Sequence, residues 1–390
     1  MPFAFEFATT RRILFGPGSL GNLPDIGQTL GQSPLLVTGS QANRFPLIEM
    51  LQATGLETTI FSVTHEPTTQ TVLQGVSLAR ESDCDMVIAI GGGSVLDAGK
   101  AIAMLIANGG EPLDYLEVIG RGLPITEPSA PFLAIPTTAG TGTEVTRNAV
   151  LKSPQHGVKV SLRSPFMLPA IALVDPQLTH SLPPGITAST GLDALTQVVE
   201  PYVSHRANPL TDGLCREAMV RAARSLEAVC QDGDDASARY DMAVTSLFGG
   251  LALANAGLGA VHGFAGPMGG MFPAPHGVIC ANLLPHVMAA NVQALHTRDP
   301  ASPALSRYDQ VARLLTGQVD AAATDGVAWV GTLVDKLALP ALSDYGVTAD
   351  LFPEIIEKAQ RASSMKGNPI QLTEEELLSI LAAATGSMGP

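Results

Sequence analysis

Two groups of residues in this sequence have the chemistry of a site. The first is one carboxylate and two imidazoles in otherwise apolar surroundings. Asp193 lies in Thr187-Ala188-Ser189-Thr190-Gly191-Leu192-Asp193-Ala194-Leu195-Thr196-Gln197, and His262 and His276 bracket a passage rich in glycine and proline. Such a set can coordinate a divalent cation and leave a position open for a substrate oxygen, as Lewis-acid catalysis requires. Three donors from distant segments form no local signature, however, and a histidine on an apolar helix is more often a hydrogen-bonded core residue. The second group is the run Asp85 to Lys100, where an apolar, β-branched stretch stops at Gly91-Gly92-Gly93-Ser94 and a helical pattern follows. Glycines let the backbone approach a phosphate, and the free N–H groups and dipole of a helix N-terminus favour negative charge. The run fits neither a Walker A nor a G-x-G-x-x-G pattern, and a tight turn in any α/β protein would read the same way. Ser94 as a helix cap, with Asp97 and Lys100 following, adds weight to the phosphate reading.

These residues need a scaffold, and the first half of the chain supplies one. Arg12-Ile13-Leu14-Phe15, Pro34 to Thr38, Thr58 to Phe61, Met86 to Ile90, Phe132 to Ile135 and Ile171 to Val174 read as strands, and Thr71 to Glu81 as a helix. Continuous apolar strands separated by helical patterns predict a parallel sheet covered on both faces. Gly39-Ser40, Gly91 to Ser94 and Pro136-Thr137-Thr138 fall at the carboxyl ends of strands, where ligands of such sheets bind. Beyond Leu182-Pro183-Pro184-Gly185 strand patterns vanish and long helical ones follow. The expected organisation is an α/β domain over 1–183 and an all-helical domain over 184–390, with the chemistry in a cleft between them.

Composition excludes several functions. The chain has 390 residues, 46% hydrophobic and 15% charged, which is enough for two domains with full cores. A net charge of −14 and the lack of any Lys/Arg cluster argue against nucleic acid. Cys84, Cys215, Cys230 and Cys280 show no C-x-x-C spacing and suit buried thiols in a reducing compartment. The opening Met1 to Phe7 is too short and too acidic for a signal peptide. Val244 to Ala274 carries no charged residue, but its glycines, Asn255, His262 and Pro267 fit a buried helix better than a membrane span. The expected location is the cytoplasm, with no membrane partner.

Several motifs then occur in order: Gly91-Gly92-Gly93-Ser94-x-x-Asp97-x-x-Lys100, Pro136-Thr137-Thr138-Ala139-Gly140-Thr141-Gly142-Thr143-Glu144-Val145-Thr146, Asp175-Pro176-x-Leu178-Thr179, Thr190-Gly191-Leu192-Asp193-Ala194-Leu195-Thr196, His262-Gly263 and Pro275-His276-Gly277. Together they resemble the iron-containing (group III) alcohol dehydrogenases, relatives of glycerol dehydrogenase and dehydroquinate synthase, over nearly the whole chain. The resemblance implies a dehydroquinate-synthase-like architecture: an α/β dinucleotide-binding domain and an all-α metal-binding domain, commonly dimeric. It implies that Gly92, Gly93 and Ser94 cradle the cofactor pyrophosphate. Thr137, Thr138, Thr141 and Thr146 would line the adenosine and ribose side, Asp97 would approach the nicotinamide, and Lys159 would meet a cofactor hydroxyl. Leu178 is counted with these contacts, as are Gly39 and Ser40 after the second strand. Asp193, His262 and His276 would hold the metal and carry catalysis.

The chain departs from the family pattern at three places. Gln197 stands where the family usually has a histidine ligand; an amide oxygen is a weaker donor, and the remaining acid and two imidazoles resemble the zinc-dependent glycerol dehydrogenases, so Fe²⁺ and Zn²⁺ both stay open. Gly266 replaces a second histidine implicated in proton handling. Gly39 replaces an aspartate that takes the cofactor ribose; with Ser40, Gln41, Asn43 and Arg44 after it, NADP(H) is expected ahead of NAD(H).

The expected activity is hydride transfer between a nicotinamide cofactor and a small primary or secondary alcohol or aldehyde. A lyase of the dehydroquinate synthase kind would need a basic pocket, and the second half offers few cations. An oxo-acid reductase like maleylacetate reductase would not need the metal residues, which are all present. A binding protein that has lost catalysis stays open through Gln197 and Gly266. Phe264, Met268, Met271 and Phe272 either wall a substrate pocket or pack in the core, and Lys366 either reaches the site or is solvated.

Overall fold

A computed structural model of the chain describes residues 4–40, 46–156 and 158–386. The first half alternates as expected: β1 (Arg12–Phe15), α1 (Leu23–Leu30), β2 (Pro34–Thr38), α2 (Leu47–Gln52), β3 (Thr59–Ser62), α3 (Thr69–Glu81), β4 (Met86–Gly91), α4 (Gly93–Asn108), α5 (Pro112–Tyr115), β5 (Phe132–Pro136), β6 (Asn148–Ser153), β7 (Val158–Arg163) and β8 (Ile171–Val174). Six strands form one parallel sheet in the order β1-β8-β5-β4-β2-β3. Side chains alternate across it, as the pleat dictates. Val87 and Ala89 of β4 join a core with α3 and α4, while Met86, Ile88 and Ile90 join a second core with α1 and α2. Both faces are therefore covered, which is why these strands read as unbroken apolar runs. The antiparallel hairpin β6–β7 was not expected from the sequence.

The order of the sheet reverses at β2 and β4. The chain runs outward from β2 to β3, then returns to place β4 on the other side of β2. Segments leaving the carboxyl ends of β2 and β4 thus diverge, opening a crevice at this switch point. Thr38 pairs with Ile90 there, and Gly39 and Gly91-Gly92 follow directly.

The second half is helical: α6 (Pro184–Val203), α7 (Pro209–Gln231), α8 (Ala236–Ala256), α9 (Ala260–Met271), α10 (His276–Arg298), α11 (Pro303–Thr316), α12 (Ala323–Leu337), α13 (Phe352–Arg361) and α14 (Glu374–Ala384). The uncharged stretch expected to form one buried helix is broken: α8 and α9 meet at 100°. Gly257 makes the break, at φ +72°, a backbone region open to glycine at little cost. By length and hydropathy α10 alone, or α8 with α9, could cross a membrane, but 72% of the apolar window of α10 is buried inside the fold.

Residues Ala8–Thr138 and Gly142–Thr179 form one compact unit; the helices from His180 onward form the other, with Ala139–Thr141 and the described residues before Ala8.

Candidate active site

Within the helical unit, helical geometry aligns the acid. Asp193, Gln197 and Glu200 recur at four- and three-residue steps along α6 and so share one face. They are 2%, 3% and 5% exposed. His262 comes from the first turn of α9, and His276 is the first residue of α10. The structure brings these together: Asp193 Oδ1 lies 3.4 Å from His262 Nε2 and 3.7 Å from His276 Nε2. A fourth donor joins them that the sequence reading left as a buried thiol. Cys280, one turn after His276 on α10, sets its Sγ 3.7 Å from His276 Nε2 and 4.0 Å from His262 Nε2. The four donor atoms lie within 4.8 Å of one another.

A glutamate missed in the sequence fixes the imidazole. Glu200 Oε2 accepts from His262 Nδ1 at 2.6 Å, and its Oε1 accepts from the Val261 N–H at 2.7 Å. With the Nδ1 proton held by Glu200, the Nε2 lone pair of His262 faces Asp193 Oδ1. Two acceptors pointed at each other call for a proton or a cation between them. Asp193 Oδ1 is buried with no hydrogen-bond donor, and so is Gln197 Oε1. These donors therefore fit a divalent metal, the carboxylate–histidine–metal pattern in which an outer partner sets the tautomer. Burial pushes the His262 imidazole down, yet the Cys280 sulfur, Asp193 and Glu200 outweigh it and raise it well above its ordinary range. For His276 too, burial is outweighed by Cys280 and Asp193, and it is raised. Burial pushes Asp193 up, but His276, His262 and Gln197 prevail and hold it below the usual carboxylate range.

The N-terminus of α9 is capped from outside the helix, since Gly259 offers no side chain. Val261 N–H goes to Glu200, and Ala260 N–H to Asn368 Oδ1 at 3.1 Å. Asn368 in turn exchanges hydrogen bonds with Asn291 of α10, at 3.1 and 2.6 Å. Phe264 and Met268 are fully buried and belong to the core, so they wall no pocket; Met271 and Phe272 pack partly buried against it. Gly266 is exposed, and Lys366 is exposed in the turn before Gly367.

In the α/β unit, Gly92, Gly93 and Ser94 are half-buried at the end of β4, so the glycine turn is open to a ligand. Its close packing is glycine-dependent at Gly91, where a Cβ would lie 2.6 Å from Val95 Cβ. Ser94 is not the cap expected of it: α4 begins at Gly93, Gly92 is the N-cap, and no side chain caps the helix. The Gly93 and Ser94 N–H groups are thus left to a ligand, while Val95 N–H donates to Gly92 O at 3.0 Å. Thr137 and Thr138 follow β5 half-buried, with Thr137 N–H donating to Gly91 O at 2.9 Å. Thr138 Cγ2 lies 3.4 Å from where a Gly92 side chain would begin. Gly39 is half-buried and Ser40 exposed; Gln41, Asn43 and Arg44 lie outside the described residues.

Lys100 and two of the expected cofactor contacts, Thr146 and Lys159, have partners within the protein. Lys100 does not point at the cradle: its Nζ donates to the carbonyls of Thr143, Thr146 and Asn148 at 2.8–2.9 Å and to Thr146 Oγ1 at 3.1 Å. Thr146 Oγ1 also donates to Thr143 O at 3.2 Å, so its hydroxyl is used internally. Burial pushes Lys100 down to about 8 against the pull of Asp97 and Glu144. It pushes Glu144 up to about 7, against a main-chain hydrogen bond and Lys100. Leu178 is 2% exposed and packs in the core below the sheet. Lys159 is ion-paired with Glu66, and Asp97 is 9% exposed. Thr141 is half-buried and belongs to the helical unit.

Residues 10–176 match the model of the iron-containing alcohol dehydrogenases, and residues 187–385 that of the Fe-containing alcohol dehydrogenase family, C-terminal. The chain belongs to the iron-containing alcohol dehydrogenase family. It is 34% identical to alcohol dehydrogenase 4 of Schizosaccharomyces pombe, with 95% of this chain and 87% of that protein covered. To 1,3-propanediol dehydrogenase of Klebsiella pneumoniae it is also 34% identical, covering 97% and 98%. The crystal structure of a 1,3-propanediol oxidoreductase superposes with a TM-score of 0.90 at 33% identity, covering 98% of this chain and all of that one. As an iron-containing alcohol dehydrogenase the chain is a metal-dependent alcohol oxidoreductase using a nicotinamide cofactor. Neither the lyase nor the oxo-acid reductase alternative finds support in these likenesses.

Proposed function

We propose that this chain interconverts a small primary or secondary alcohol and its carbonyl counterpart, with NADP(H) as the preferred hydride partner. The observation that carries the reading is the buried Asp193 Oδ1, without a hydrogen-bond donor and facing two imidazole Nε2 atoms at 3.4 and 3.7 Å. Relatives that act on 1,3-propanediol support a short substrate. When bound, the cation supplies Lewis acidity to the substrate oxygen and the nicotinamide supplies or takes up the hydride. Asp193, His262 and His276 would hold that cation. Glu200 keeps the His262 proton on Nδ1 and so keeps Nε2 a donor of electrons. The amides of Gly92 to Ser94, at the positive end of α4, would bind the cofactor diphosphate. Gly266 contributes no side chain to proton transfer.

The NADP(H) preference rests on Gly39 and Ser40, which place no carboxylate after β2 to repel a 2′-phosphate. Introducing one tests it: Gly39→Asp has room, since its Cβ would meet Val95 Cγ2 at 3.7 Å. The variant should lose at least tenfold in kcat/KM with NADPH relative to NADH, and an unchanged ratio refutes the preference. A homodimer is part of the proposal, supported by β1, an edge strand with a partner on one side among the described residues. Free cysteines, three of four buried, support work in the reducing cytoplasm. The test of the whole reading is turnover of an aldehyde panel with NADPH and NADH, before and after metal removal. A His276→Ala variant with undiminished turnover would sink it.

A further inference from the structure

Four donors converge in the helical unit, and the fourth is sulfur. Cys280 is fully buried, and its Sγ sits 3.7 and 4.0 Å from the two Nε2 atoms that also flank Asp193 Oδ1 at 3.4 and 3.7 Å. A tetrahedron with zinc bonds of about 2.0–2.3 Å has edges of about 3.3–3.6 Å. Four of the six edges, at 3.4–4.0 Å, lie at or a little above that range, and the other two are within 4.8 Å, so a small contraction would close the four donors around an ion. Gln197 does not fill the fourth corner with a comparable donor: its side chain is an amide, hydrogen-bonded to Asp193. Asp193 Oδ1, buried and without a hydrogen-bond donor, points independently to a ligand at this place.

We propose that Cys280 is a metal ligand, and that with Asp193, His262 and His276 it makes an O, N, N, S site selective for Zn²⁺ over Fe²⁺. The inference rests on the reading of the cluster as a divalent-cation site and goes further by naming the donor and the ion. Its physical basis is ligand softness: a thiolate favours zinc, whereas carboxylate and amide oxygens suit harder ions. Helix α10 delivers both donors, because residues four apart share a face, so His276 and Cys280 move as one rigid pair. Substrate oxygen would then enter as a fifth ligand, a coordination number that catalytic zinc reaches.

The test uses the full-length protein stripped with a chelator and reloaded with Co²⁺. The expected spectrum shows visible d–d bands at one cobalt per chain together with a near-ultraviolet thiolate-to-cobalt charge-transfer band. That band should vanish in Cys280→Ser and Cys280→Ala and persist in Cys230→Ser. Zinc affinity in Cys280→Ser should fall by more than the roughly 10–100-fold that loss of an outer partner costs, with a smaller loss for Fe²⁺. Should the Cys280 variants not fold, X-ray absorption of the zinc-loaded wild type decides, since one sulfur scatterer at about 2.3 Å is expected. Cobalt bound without the charge-transfer band, or zinc without a sulfur neighbour, overturns the sulfur ligand and leaves the cation site standing. No cobalt uptake overturns both.

Discussion

Replacing Glu200 with glutamine separates its two duties. Its carboxylate accepts from the Val261 N–H at 2.7 Å and from His262 Nδ1 at 2.6 Å, one donor on each oxygen. A glutamine keeps the shape but has one acceptor oxygen and an NH₂ group, so it can serve one donor and must oppose the other. Serving Val261 sets the NH₂ against Nδ1, which drives the imidazole proton to Nε2 and removes the lone pair that would bind a cation. Serving His262 leaves the Val261 N–H buried without a partner. The first outcome should weaken metal binding by about 10–100-fold, or about 1.4–2.7 kcal/mol. The second should cost roughly 1–3 kcal/mol of folding stability. Chelator competition measures the metal affinity and urea denaturation the stability, both on Glu200→Gln against the wild type. We expect a loss of at least tenfold in affinity. A variant that binds metal within twofold of the wild type while melting earlier would show that Glu200 only caps α9.

Two further outcomes concern the α/β unit. Lys100→Met keeps the volume but strips the ammonium donor from the carbonyls of Thr146 and Asn148, each costing roughly 1–3 kcal/mol when left unserved, while Thr143 O keeps its bonds from Thr146, so urea denaturation should show a loss above about 2 kcal/mol; a loss below about 1 kcal/mol, on the order of one ordinary hydrogen bond, refutes the anchoring role. Glu144, raised from 4.5 to about 7, binds its proton more readily folded than unfolded, so the stability it confers is complete below pH 4.5 and gone once pH has risen through about 7. The difference in stability between the wild type and Glu144→Gln should therefore move against the wild type as pH rises across that window, and a pH-independent difference counts against the shift.

The parallel strands were legible because a strand buried on both faces leaves an unbroken apolar run, as in Pro34–Thr38 and Met86–Gly91. Asp193, His262 and His276 were legible as chemistry, but their meeting was not, since it depends on packing among α6, α9 and α10. Glu200 carried a readable signal, standing seven residues after Asp193 on the same helix face. Cys280 did as well, four residues after His276; both were passed over because a single acid or thiol on a buried helix has no spacing motif of its own. The β6–β7 hairpin escaped because its strands alternate in burial, with the weaker period-two signal of a half-exposed ribbon. Ser94 misled because the glycine before it, not its hydroxyl, begins the helix.

Asn368 ties Ala260, at the start of the helix bearing His262, to Asn291 on the helix bearing His276 and Cys280. Because those links run between protein groups alone, they would set the gauge of the proposed cage before an ion enters it. Calcium, which takes six to eight oxygens at about 2.3–2.6 Å, is too wide and too hard for such a frame. Small ions with bonds near 2.0–2.3 Å would be admitted, so in the proposed site the same amide that closes a helix end would also sieve by ionic radius.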